Sequence, residues 1–271
     1  MKVAALQMVS GLDVASNLAT ARDLLVEASM QGAELAVLPE YFCLMGRHDT
    51  DKLAVQESYG SGPIQDFLAQ CARRLGLWIV GGTVPLSTGD PRRVSNTAIA
   101  YDPQGNSVAR YDKIHLFRFD DGNQSYDESV VLQAGNTPQA FDLLSVDGNR
   151  YRIGMSICYD LRFPELYRSY EADLLLVPSA FTYVTGHAHW EVLLRARAVE
   201  NLAYVLASAQ GGSHDNGRQT WGHSMIVDPW GAVVTQKAEF EAGVVLAEIN
   251  LESIRACRQK LPALKHRVIK N

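Results

Sequence analysis

Three things are scarce in this chain of 271 residues. Nowhere do about 18 apolar residues follow one another, the length a helix needs to cross a bilayer, so no spanning helix is expected. Cysteine occurs four times, at Cys43, Cys71, Cys158 and Cys257, and never in a Cys-x-x-Cys pair. That spacing suggests neither a disulfide framework nor a zinc knuckle, and four thiols suit a reducing compartment. A basic excess is also missing: 25 Lys and Arg stand against 30 Asp and Glu, a net charge of -5, which argues against a nucleic-acid partner. The opening MKVAALQMVSGLDVASN carries one lysine and an apolar run of only about seven residues, short for a signal-peptide core. A cytoplasmic protein is expected.

What the chain has is core-forming material, 47% hydrophobic against 20% charged residues, the balance of a globular protein. Val3 to Met8 reads as a buried strand. From Asn17 to Gln31, Leu18, Ala21, Leu24, Leu25 and Ala28 fall on one helical face, and Gly32 stops that helix. Strands follow at Leu35 to Leu38 and Trp78 to Val84, with a helix between them marked by Ile64, Phe67, Leu68, Cys71 and Leu75. Thr97 to Tyr101 and Ser107 to Arg110 flank Asp102-Pro103-Gln104-Gly105, whose proline and glycine are hairpin-turn chemistry. The second half repeats the order: strand Ile153 to Ile157, helix Glu165 to Ser169, strand Leu174 to Val177, helix Trp190 to Glu200 and strand Tyr204 to Ala209. It closes on the same turn, Asp228-Pro229-Trp230-Gly231. Two strand-helix-strand halves, divided near residues 115 to 150, predict an α/β fold with two sheets face to face and helices outside, an α-β-β-α sandwich. A single doubly wound sheet is the alternative. In either, reactive groups belong beyond the carboxyl ends of strands, where Glu40 and Cys158 both stand.

Cys158 sits where a buried strand meets a following helix, so its thiol is a candidate nucleophile whose pKa a helix N-terminus would lower. Glu40, directly after an apolar strand, is a candidate base if the pocket rim desolvates it. Lys113 lies between a charged hairpin and an apolar patch. Taken singly, a packed cysteine, a loop glutamate and a solvated lysine explain these three residues as well.

Taken together, Leu38-Pro39-Glu40, Tyr111-Asp112-Lys113-Ile114-His115-Leu116-Phe117 and Ser156-Ile157-Cys158-Tyr159-Asp160-Leu161-Arg162-Phe163-Pro164-Glu165 resemble, in order and spacing, the three signature segments of the carbon-nitrogen hydrolase (nitrilase-like) superfamily. The similarity runs from Lys2 to His266-Arg267, as one domain over residues 1–271. The resemblance implies the same α-β-β-α sandwich, with Glu40 as general base, Lys113 holding the oxyanion beside the Tyr159 backbone N–H, and Cys158 attacking an amide carbon to form a thioester. It also implies a second glutamate orienting Lys113. Glu128 fits that role best, with Asp127 as competitor, because the loop from Phe119 to Asp127 is shorter and more polar than the family pattern. No cofactor or metal is implied; His187 and His189, read as a loop pair, lack a third ligand at suitable spacing. Helix-to-helix pairing into homodimers or higher homo-oligomers is a family expectation.

The stretch from Pro178 to Asn201 resembles the amidase branch that contains deaminated glutathione amidase and omega-amidase, and Phe163-Pro164-Glu165-Leu166 and Val192-Leu193-Leu194 lean toward the former. Both act on small acids with a distal amide, so the partner is a small-molecule amide and Arg162 and Thr182 are candidates for binding its carboxylate. Hydrolysis of a carbamoyl amino acid is a further alternative, nitrile hydrolysis a weaker one, and a catalytically silent metabolite binder the alternative outside enzymes.

Overall fold

The computed structural model describes residues 1–120, 122 and 125–269. It opens with β1 (Lys2–Gln7), where Val3 and Ala5 face one way and Ala4 and Leu6 the other, all of them buried. α1 (Val14–Met30) starts on the Asp13 carboxylate, which accepts from the Ser16 N–H at 2.8 Å and so satisfies one of the open donors of the first turn. β2 (Leu35–Val37), α2 (Asp51–Ala54) and α3 (Pro63–Leu75) precede β3 (Trp78–Val80). β4 (Val84–Ser87), β5 (Val94–Tyr101) and β6 (Ser107–Asp112) follow, then a small ribbon of β7 (Arg118–Asp120) and β8 (Ser125–Asp127).

The second half runs through β9 (Ala140–Leu144), β10 (Arg150–Met155), α4 (Pro164–Arg168), β11 (Leu174–Leu176), α5 (Tyr183–Asn201) and β12 (Tyr204–Ala207). A second ribbon pairs β13 (Gly211–Ser213) with β14 (Gln219–Trp221). The remaining elements are β15 (Met225–Val227), β16 (Val233–Gln236), β17 (Gly243–Glu248) and α6 (Leu251–Lys260).

The strands form two main sheets rather than one doubly wound sheet: β17-β1-β2-β3-β5-β4 with β6 on β5, and β16-β15-β12-β11-β10-β9. Each contains three adjacent parallel strands, β1-β2-β3 or β10-β11-β12, followed by an antiparallel neighbour, β5 or β15. The pseudo-repeat extends to its turns. Asp102 accepts from the Gln104 and Asn106 N–H groups, and Asp228 from those of Trp230 and Ala232, all at 2.8 to 3.0 Å. Between the sheets, Val3, Ala5, Leu35 and Val37 pack with Ile153, Met155, Leu174 and Leu206. Outside the first sheet, Ala4, Leu6 and Ile79 pack on Leu24 and Leu25 of α1 and Leu68 of α3. Trp190, Leu194 and Ala198 of α5 join the cluster of the second sheet. This is the α-β-β-α sandwich.

Two expectations need correction, and one pairing was not anticipated. The strand expected from Trp78 to Val84 is broken at Gly81-Gly82, where Gly82 turns to φ +43° and β4 starts afresh. The helix expected from Trp190 begins seven residues earlier, because the Thr182 hydroxyl accepts from the Thr185 N–H and caps it. His187 and His189 therefore lie in that helix, not on a loop. Finally, β17 crosses back from the second half to pair antiparallel with β1, so the halves are tied through the first sheet's edge.

Candidate active site

Glu40 follows β2 by three residues, and its position depends on a close backbone approach. A Cβ on Gly82 would stand 2.0 Å from the Pro39 carbonyl oxygen, and the positive φ there is one that glycine adopts without strain. Lys113 comes directly after β6, with its N–H donating to the Asn96 carbonyl at 3.0 Å and its carbonyl accepting from Gly135 at 2.8 Å. Cys158 begins the 3-10 turn Cys158–Arg162 beyond β10, at φ +49°, with its N–H on the Pro178 carbonyl at 2.9 Å. A left-handed φ at a residue with a Cβ is local strain, of the kind that gathers where reactive groups are held. Glu128 begins the 3-10 turn Glu128–Val130 just after β8.

These four side chains converge. The Lys113 Nζ donates to Glu40 Oε1 at 2.8 Å and to both Glu128 oxygens at 2.8 and 2.9 Å, and the lysine is wholly buried. Glu40 Oε1 also accepts from Asn96 Nδ2 at 2.9 Å, and Oε2 from the Ala180 N–H at 3.0 Å. Glu128 is held by the Tyr41 hydroxyl at 2.7 Å and the Phe117 N–H at 2.7 Å. Asp127 does not compete for the lysine: its carboxylate caps the 3-10 turn by accepting from the Ser129 N–H. Of the loop the sequence flags between Phe119 and Asp127, residues 121, 123 and 124 lie outside the described residues.

The electrostatics follow from one buried cation among groups that can be negative. Burial pushes the Glu40 carboxyl above the usual glutamate value; Lys113 opposes this and Glu128 adds to it. Burial alone would depress the Lys113 ammonium, but Glu128 and Glu40 outweigh it and hold the group charged well above the ordinary lysine range. The Cys158 thiol is raised by burial and by Glu40, against which Lys113 and the Ala180 N–H are too weak. This reverses the expectation that a helix N-terminus lowers it. The element is a turn of five residues with little macrodipole, and two carboxylates lie close by.

Sequence reading missed a second buried carboxylate. Asp160 accepts from the Tyr111 hydroxyl at 2.7 Å, the Ile157 N–H at 2.9 Å, and the N–H and Nδ1 of His115 at 3.0 and 2.7 Å. It thereby ties the segment bearing Lys113 to the turn bearing Cys158, and the His115 ring stacks on Phe163 at 3.6 Å. A pocket opens above Cys158 and Glu40, and Tyr159, Arg162 and Thr182 all line it. So does Arg218, which stands in no motif. Thr182 also spends its hydroxyl on capping α5. Among the described residues, no group of three or more His, Cys, Asp and Glu is placed to hold a metal. His187 faces Trp221 and His189 faces Arg162, so the two do not converge.

The model of the carbon-nitrogen hydrolase family matches residues 2–259. Deaminated glutathione amidase of Synechocystis is 42% identical, over 98% of this chain and 97% of its own length. The Homo sapiens protein of the same name is 38% identical, over 98% of this chain and 81% of its own length. In structure, Saccharomyces cerevisiae Nit3, a member of branch 10 of the nitrilase superfamily, superposes with a TM-score of 0.86 at 30% identity, covering 99% of this chain and 97% of that one.

Proposed function

The chain belongs to the carbon-nitrogen hydrolase family, and from that premise we propose that it cleaves the distal amide of deaminated glutathione through a thioester on Cys158. That it is an amidase, a hydrolase of carbon-nitrogen bonds other than peptide bonds, comes with the family and its relatives. The observation that carries the mechanism is the buried Glu40–Lys113–Glu128 constellation beside Cys158.

Glu40 is the base. Burial raises its carboxyl above the usual glutamate value, which makes it a stronger base, and it takes the thiol proton as Sγ attacks the amide carbon. Charge builds on the amide oxygen, where the Lys113 ammonium and the Tyr159 backbone N–H stabilise it. Collapse of the tetrahedral species expels the amine, which takes the proton from Glu40. The carboxylate then activates a water, which attacks the thioester and frees the acid and the thiol. Glu128 touches no reacting bond; it fixes Lys113 in place. Arg162 and Thr182 receive the carboxylate of the acid being transferred. The domain acts as one unit over residues 1–271 and needs no cofactor.

The cell compartment is the cytoplasm, in keeping with four cysteines that are all free. Among the described residues, no helix is long and apolar enough to cross a membrane. The assembly is a homodimer through α5, where exposed Val192 and Val199, two turns apart, share a groove with exposed Trp230.

Turnover of deaminated glutathione beside alpha-ketoglutaramate tests the reading. Higher kcat/KM on the first supports it. Preference for the second moves the chain to omega-amidase chemistry, joint release of ammonia and carbon dioxide from a carbamoyl amino acid moves it to that reaction, and binding without turnover of any of them makes it a silent binder.

A further inference from the structure

Two arginines, Arg162 and Arg218, line the pocket. Arg162 lies over the rings of Tyr159 and Phe181, at 5.7 and 5.5 Å. Going round one way, Tyr159 meets Phe117 edge-on at 5.2 Å, Phe117 meets Tyr126 at 6.0 Å, and Tyr126 carries the Arg218 guanidinium at 4.9 Å. Going round the other way, Arg218 is two residues before Thr220, which bridges to Thr182 beside Phe181. Three aromatic rings by one route and a strand bridge by the other thus connect two separate cations that line one pocket with Cys158.

Neither cation has a carboxylate to itself. Arg162 makes no ion pair among the described residues; its guanidinium donates to His189 Nδ1 at 3.3 Å. Arg218 pairs with Asp49 at 3.1 Å, but Asp49 also accepts from Lys52 at 3.4 Å, so two cations share that one carboxylate, while Asp127 and Glu128 also line the pocket and Glu128 is already held by Lys113. Planar guanidinium groups facing a pocket are well suited to carboxylates.

We propose that Arg218 forms a second anion subsite, so that the site selects substrates with a carboxylate at each end and the scissile amide between them. This rests on the amidase reading above and deepens it. Deaminated glutathione has that form, with its oxo-acid end on Arg162 and its glycyl carboxylate on Arg218. Alpha-ketoglutaramate has only the first carboxylate.

The test is a binding ratio in the Cys158→Ala protein, which cannot form the thioester. Calorimetry compares deaminated glutathione with its analogue in which the glycyl carboxylate is a carboxamide. The free carboxylate binds tighter by about tenfold, roughly what one charge-assisted pair contributes. Adding Arg218→Met brings the ratio close to one. Adding Arg218→Lys keeps a preference for the carboxylate. Adding Arg162→Met weakens both ligands alike. Equal binding of the two ligands before Arg218 is changed, or an undiminished ratio in Arg218→Met, overturns the proposal. Failure of the amidase reading shows elsewhere, as absent turnover by the intact enzyme.

Discussion

One ammonium between two carboxylates leaves the buried cluster with a negative excess, and this governs its response to pH. A carboxyl whose pKa is raised keeps its proton to higher pH, so its capacity as a base is lost as pH falls through that raised value. The acid limb of kcat/KM therefore lies above the ordinary glutamate value of about 4.3. Lys113, raised well above the lysine range, does not set an alkaline limb. Because Glu128 contributes to the rise in Glu40, Glu128→Gln moves the acid limb to lower pH while cutting kcat by roughly 10²- to 10³-fold, the cost of a misplaced oxyanion donor. A profile that stays put in Glu128→Gln contradicts the electrostatic account. At this scale Glu40, Lys113 and Cys158 were legible because each stands in a short motif at the end of a strand. Asn96, Asp160 and Arg218 were not. Asn96 lies within an ordinary β-strand, Asp160 acts through partners up to 49 residues away, and Arg218 reaches the pocket from a ribbon that carries no pattern of its own.

At the scale of elements, the site depends on where strands stop. Gly82 lets β3 end while the backbone passes under the Pro39 carbonyl, and Pro39 immediately precedes Glu40, the proposed base. Gly82→Ala adds a left-handed strain of about 1–2 kcal/mol and an overpacking cost of about 1–3 kcal/mol. Urea unfolding should register a loss of that size, with kcat/KM falling further than stability alone explains because Glu40 moves. An alanine variant of native stability and activity would show that the close approach is slack. The paired Asp-Pro-x-Gly turns were readable directly, since their side-chain caps are local. The early start of α5 was harder to read: its first turn sets exposed Tyr183 and Val184 beside buried Thr185 and Gly186, the reverse of an apolar stripe, and the cap at Thr182 marks it only once the fold is known.

Across the whole molecule, the repeated strand order was enough to predict two sheets, since each half needs a partner for its apolar face. The return of β17 to β1 was not, because an edge strand's choice of sheet depends on contacts some 240 residues apart. Val192 and Val199 on the outer face of α5, with Trp230 of the turn between β15 and β16, are exposed at 62%, 46% and 55%, more apolar surface than a helix facing water usually presents. The proposed α5 dimer predicts a dimer by light scattering for the wild-type chain and a monomer for Val192→Glu; a dimer that persists in the variant places the interface elsewhere.

The central claim is that catalysis runs through a thioester on Cys158, and rapid quenching of the enzyme during turnover of deaminated glutathione, followed by mass spectrometry of the Cys158 peptide, tests it most directly. The account predicts an oxo-acyl adduct on that peptide which hydroxylamine removes, and none in Cys158→Ala, which is also inactive. Steady turnover with an unmodified Cys158, or an active Cys158→Ala enzyme, would contradict it.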